Sequence, residues 1–315
     1  MKTIGITALA MLAAASALSA QAGVTKLSDA EVQARKAWRE TMLRTPAPTE
    51  ACFHAAFPNT VWERVACTVA PNRPYVPRTQ GRAQIVGDGI DYVAEVSGLT
   101  ASAVGTFPVV SGVTSETDGV RPNVYSLQMN SNFMNTAVCN GISGCLSWEQ
   151  FVYSSSERAA FMQYWLINYG TCPAGWNTYG QDCYKNSAAA RVPKEDISEL
   201  ANLKLSGSAV DGGLDTLVFA TDTDAYSTSG QDSVVYLATG WTDTEFNIVG
   251  DGGGSSATFN KGSTIAVQIA VDDGTHNAPA CVPNSGTTGE TNNLRLKGCV
   301  ATGGSSPSVQ FVESN

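Results

Sequence analysis

The sequence predicts an all-β chain, an antiparallel β-sandwich of jelly-roll type preceded by a short helical amino-terminal segment. Three observations predict it. From about Gly87 onward the chain is built of Gly, Ser, Thr, Val and Asn in short alternating runs, separated by turns that carry Gly or Asp. Helical spacing is visible only in two short stretches. The longest unbroken pattern, LSWEQFVYSSSERAAFMQYWLINY from Leu146 to Tyr169, reads as a hairpin whose two arms each alternate with a period of two. About 230 residues suffice for a single sandwich with one core.

Taken in order, the chain opens with Lys2, an apolar run from Ile4 to Leu18 and Ala20-Gln21-Ala22, which together predict a secretory signal over residues 1–22, cleaved after Ala22. No later stretch approaches the roughly 18 apolar residues of a membrane span, so an exported, soluble product with no membrane partner is expected. Ser28-Asp29-Ala30-Glu31 is a capping box, and Val32, Ala37 with Trp38, and Met42 follow at helical spacing, predicting a helix over 29–44 that Pro46 and Pro48 stop. The stretch PNRPYVPRTQGR, 71–82, has the composition of an exposed linker. Residues 23–82 are therefore expected to be a propeptide or accessory segment, and residues 83–315 the sandwich.

Within the sandwich, strands are predicted at 91–96, 124–129, 149–153, 161–167, 215–220, 233–238, 244–249, 264–271, 293–296 and 309–313. A short helix is predicted over 194–203, behind Pro193. The run ATDTDAYSTSGQD holds Asp222 and Asp224 without the glycine and terminal Glu of a calcium loop, so a solvated loop is expected there.

Eight cysteines fall in four close pairs, predicting bridges 52–67, 139–145, 172–183 and 281–299. Charge divides the chain. Residues 1–82 hold ten Lys and Arg against five Asp and Glu, and the remainder nine against twenty-three, so a basic segment precedes a body of charge −14. A body of that sign excludes nucleic acid as a partner, because phosphate binding needs concentrated cations.

Familiar chemistries are missing. The chain has two histidines, His54 in the amino-terminal segment and His276 in a turn-rich stretch, and no CxxC, HExxH, GxSxG or phosphate-cradling glycine motif. What remains is carboxylate and amide chemistry. In the hairpin, Trp148, Gln150 and Val152 share one face while Glu149, Phe151 and Tyr153 share the other, and Gln163 and Trp165 stand together on the second arm. The later strand TEFNIV puts Glu245 and Asn247 on one face and Phe246 and Ile248 on the other. A Glu at 245 among Gln128, Asn130, Gln150 and Gln163 would exchange protons in acid, and the Gln150 amide would donate to a developing oxyanion.

The segments WEQFVY, FMQYWLINYG, WTDTEFNIVGDGG with ATFN beyond it, and the closing SVQFVES together resemble the glutamic peptidases, the fungal eqolisins and more distantly the plant neprosin group. The resemblance covers roughly residues 120–315. It implies a concanavalin-like sandwich, a secretion signal, a propeptide that inhibits its own enzyme, protein or peptide substrates and no cofactor. Gln150 then matches the catalytic Gln and Glu245 the catalytic Glu, with Trp148, Gln163, Trp165 and Asn247 lining the substrate site. The chain departs from the eqolisin pattern at Gln163, where an acidic residue stands between aromatics. Glu149 is the alternative first member, on the Glu/Glu pattern of the neprosin group, although alternation sets it on the face of Phe151 and Tyr153. The other reading of the same residues is a non-catalytic sandwich that binds carbohydrate or a surface polymer through Trp148, Trp165 and Trp241.

Overall fold

The structure, a computed structural model, describes residues 27–78 and 85–315. The expected signal segment 1–22 and the 79–82 end of the expected linker lie outside the described residues. Two large antiparallel sheets face one another, and the all-β sandwich is the observed architecture. The nine-stranded sheet runs, in spatial order, Glu63–Val65, Cys52–Ala56, Asp224–Gln231, Leu214–Ala220, Lys204–Ser208, Ser102–Ser111, Thr264–Asp272, Ser308–Ser314 and Arg295–Thr302. The ten-stranded sheet has at its centre Ala159–Ile167, Leu146–Ser154, Ser126–Ser131 and Asp243–Val249, followed by Val93–Glu95.

The core lies between the sheets and is built from the faces that alternation assigns to it. Leu127, Met129, Phe151, Tyr153, Phe246 and Ile248 from one sheet meet Leu205, Leu217, Phe219, Val267 and Phe311 from the other. Tyr153 stacks on Phe219 with ring centroids 4.1 Å apart. Two glycines let aromatic rings lie directly on the opposing backbone: a β-carbon at Gly105 would sit 2.3 Å from the Phe246 ring, and one at Gly207 2.5 Å from Phe151. Gly105→Ala is therefore expected to destabilise the fold by about 1–3 kcal/mol through overpacking, measured by urea denaturation.

Ser28 caps the helix Asp29–Leu43 by accepting from the Glu31 amide at 3.2 Å. Trp38, Met42 and Leu43 pack on Val218, Ala220 and Ala225 at the outer surface of the nine-stranded sheet. All four disulfides pair as expected, which fits an oxidising, extracellular-type environment. No helix among the described residues is long and apolar enough to cross a membrane.

Several local expectations are corrected. Residues 222–232 do not form a solvated loop: Asp224–Gln231 is a strand paired on both sides. Its hydroxyls are satisfied internally, Ser227 on Leu217 O, Thr228 on Ala188 O and Ser229 with Thr216. Asp222 binds no calcium-like set but pairs with Arg35 and Arg39 from the helix. The strand expected over 233–238 is two short 3-10 turns, because Asp232 accepts the Ala238 amide and diverts the backbone. The helix expected over 194–203 shrinks to the 3-10 turn Ile197–Asn202, capped by Asp196. The closing hairpin strand begins at Arg295 and not 293. Strands Ser102–Ser111 and Lys204–Ser208 escaped notice because their glycines break the apolar alternation.

Candidate active site

Register alone assembles the site. Gln163 is opposite Gln150, Gln150 opposite Asn130, and Asn130 opposite Glu245, so one row of amides ending in a carboxylate crosses four adjacent strands on the face turned away from the core. The neighbouring rows place Trp165 opposite Trp148, and Phe161, Val152, Gln128 and Asn247 in line. Gln150 and Glu245 thus share a face two strands apart, about 10 Å between backbones by ordinary strand spacing. Glu149 points the other way, into the sandwich, beside Asp215.

Both faces of this sheet are buried. Gln150 is fully buried and Glu245 only 1% exposed. Gln150 donates to Gln128 Oε1 at 3.3 Å and accepts from the Trp165 indole at 3.2 Å, while the same indole N–H reaches Gln163 Oε1 at 3.0 Å. Glu245 Oε2 accepts from Asn130 Nδ2 at 2.9 Å, from Thr287 N at 2.7 Å, from Thr287 Oγ1 at 3.2 Å and from Thr288 N at 3.0 Å. Three of these are N–H donors, and the Thr287 hydroxyl divides its one proton between Glu245 and Ser131 O, which is nearer at 2.9 Å; so crowded an acceptor suits a carboxylate. Asn247 donates to Asp91 and Glu313. Glu290, buried beneath the Val76 and Gly254 amides, is pushed up to about 7 by burial against those two hydrogen bonds.

The cover is the stretch expected to be an exposed linker. Its described part, 71–78, is instead a strap laid on this face, with Tyr75 fully buried and Val76 nearly so. The reason is that its main chain finds a partner at almost every step. Asn186 donates to Pro71 O, the Gln163 amide donates to Arg73 O at 2.9 Å and accepts from Tyr75 N at 2.6 Å, and Gly253 donates to Pro74 O. Glu290 accepts from Val76 N, Gly289 donates to Val76 O, and Arg78 N donates to Thr287 O. Prolines 71, 74 and 77 have no N–H to leave unpaired. The Tyr75 ring packs on Phe161, and its hydroxyl donates to Asp251 at 2.7 Å.

The structure therefore brings Gln150, Glu245, Trp148, Gln163, Trp165 and Asn247 onto one face and separates Glu149 from them. Trp148 and Trp165 are closed in with Tyr184 and Phe133, and Trp241 lies in the core against Phe151, so none of the three rings offers a solvent-facing platform. Gln310, the amide of the closing segment SVQFVES, is on the other sheet. The sequence reading missed Asp91, Glu290 and the Thr287–Thr288 backbone. Asp91 carried a faint signal, since it opens a predicted strand on the same side as Val93; Glu290 lies in a turn-rich stretch with none. A groove of about 700 Å³ beside the end of the helix is on the outer surface of the other sheet and gathers no such row. Protein-family models, curated proteins and solved structures yield no match to this chain.

Proposed function

We propose that the chain is a secreted, acid-acting endopeptidase of the glutamic type, made as a zymogen. The observation that carries this reading is the buried row from Gln163 to Glu245, crossed by a strap whose backbone is hydrogen-bonded as an extended peptide substrate would be. In the reaction, Glu245 takes a proton from water as the water attacks the scissile carbonyl, then delivers it to the leaving nitrogen. Gln150 donates to the oxyanion. Trp148, Gln163, Trp165 and Asn247 shape the path of the substrate. Catalysis requires that the strap and the turn at 285–288 leave the face, since Glu245 Oε2 is filled by that turn's amides in the closed state.

A protein substrate assayed from pH 2 to 7 after acid incubation tests the proposal. Hydrolysis should appear in acid, fall about 10³-fold in Glu245→Gln and about 10²-fold in Gln150→Ala, the ranges for losing an acid–base group and an oxyanion donor. Full activity in Glu245→Gln would refute the reading.

A further inference from the structure

The two oxygens of Glu245 have different surroundings. Oε2 accepts from three N–H donors and faces the Thr287 hydroxyl, while Oε1 is buried with no N–H or O–H partner. Asp91 repeats the pattern: Oδ1 accepts from Asn247 Nδ2 at 3.0 Å, and Oδ2 is buried without a donor. The residues are neighbours at the margin of the sheet, for Val93, which begins its strand, is opposite Glu245 and Asp91 precedes Val93 by two. Gly286 closes the space over both, since a β-carbon there would lie 2.5 Å from Glu245 Oε1 and 3.0 Å from Asp91 Cβ.

Two neighbouring carboxyl groups, each with one oxygen lacking a donor and both out of water, are reconciled by a proton held between them. Burial first, and then the charge of Glu245, holds the Asp91 carboxyl well above the usual carboxylate range. The titratable groups acting on Asp91 are Glu245 and Glu313; Asn247 and the backbone at 285–286 carry no charge.

We propose that Asp91 and Glu245 form a carboxylic acid–carboxylate pair that shares one proton, and that Asp91 is the catalytic proton donor to the carbonyl oxygen in the hydrolysis assigned to this face. This rests on the peptidase reading. Once the 285–288 turn has lifted, the attacking water sits between the two oxygens that now lack donors. Glu245 removes a water proton while the water oxygen bonds to the carbonyl carbon; Gln150 donates to the carbonyl oxygen as negative charge builds there, and the Asp91 proton then passes to that oxygen, giving a neutral gem-diol. On collapse the C–N bond breaks, the Glu245 proton goes to nitrogen, and one gem-diol proton returns to Asp91. The products are an acid and an amine, with both carboxyl groups in their starting states.

Asp91→Asn is the decisive variant. Asparagine keeps an acceptor for Asn247 and an N–H for Glu245 Oε1, but has no transferable proton. The activated variant should lose at least about 100-fold in kcat, with KM within about threefold, and its residual rate should lack the alkaline limb of the wild-type pH profile. The infrared difference between wild type and variant at pH 6 should show the loss of one protonated carboxyl band. Activity within threefold of wild type with an unchanged pH profile would overturn the catalytic role, and loss of a carboxylate band would overturn the shared proton. If the wild type cleaves no peptide, the peptidase reading falls and takes the catalytic step with it, while the infrared difference still decides the pair.

Discussion

The folded chain will be most stable in acid and will lose stability steadily from about pH 4 to pH 8. Glu149 and Asp215 meet between the sheets with all four carboxyl oxygens buried and no donor to any of them. Burial, then Asp215, raises Glu149 well above its ordinary range; burial, then Asp232, pushes Asp215 up to about 8. Burial also pushes Glu116 and Glu290 up to about 7 and Glu313 up to about 8, and raises Asp91. An unfolded chain ionises all of these near pH 4, so above that pH folding must take up protons. Their stabilising contribution is whole below about pH 4 and is lost as pH rises through the folded values. Asp118, lowered to about 2 by the Arg121 amide, has the opposite sign and supplies a shallow acid limb.

Each fully linked proton changes stability by about 1.4 kcal/mol per pH unit, so two of these groups alone would remove roughly 5 kcal/mol between pH 5 and 7. That is the size of a whole domain's stability. Urea unfolding at pH 3.5, 5.5 and 7.5 should show the decline. Glu149→Gln with Asp215→Asn should make it shallower, gaining several kcal/mol at pH 7.5 and little at pH 3.5, with the slope that remains left to Glu116, Glu290, Glu313 and Asp91. A wild type more stable at pH 7.5 than at 3.5 would show that these groups are not held neutral.

The same carboxyl groups show where a sequence stops being legible. Alternation in the hairpin was enough to put Gln150 and Glu149 on opposite faces, since a strand's period of two leaves no other choice. It also placed Glu245 and Asn247 away from Phe246 and Ile248, and the cysteine spacings were short enough for nearness to predict the bridges. Alternation could not tell that the face of Gln150 is covered, because burial of a polar row depends on what is laid over it. The cover is a proline- and arginine-rich stretch whose composition signals a linker and whose attachment is made mostly by main-chain hydrogen bonds, with Tyr75 as its one fully buried side chain. Asp91 was invisible as a partner of Glu245 for a related reason: the two are 154 positions apart in the chain, and only sheet order makes them neighbours.

Tyr75→Ala is expected to switch on the uncut precursor by roughly 10²- to 10³-fold in acid. The segment 29–78 is bound by more than opposite charge: Cys52–Ala56 pairs with Asp224–Gln231 along its whole length, and the helix buries Trp38 and Met42. Its ion pairs, Arg35 and Arg39 with Asp222, meet a carboxylate that is one-third exposed, and its His54–Asp224 contact is a half-buried hydrogen bond, so each adds little. No disulfide joins it to the body, since Cys52–Cys67 closes within the segment and the other three bridges close beyond residue 138. A cut after Arg78 therefore leaves only non-covalent contacts to release. Besides its main-chain hydrogen bonds, the strap has one fully buried side chain, Tyr75, whose ring packs on Phe161 and whose hydroxyl meets Asp251. Truncating a buried aromatic side chain costs about 3–5 kcal/mol, and when that cost falls on the closed state alone it raises the open population by two to three orders of magnitude. The wild-type precursor should stay latent at pH 7 and become a shortened, active form at pH 3, with its new amino terminus between residues 79 and 82. Mass spectrometry of the Tyr75→Ala protein must show an intact chain while it cleaves substrate. A folded, intact Tyr75→Ala precursor as silent as the wild type would mean that the strap is not what bars the site.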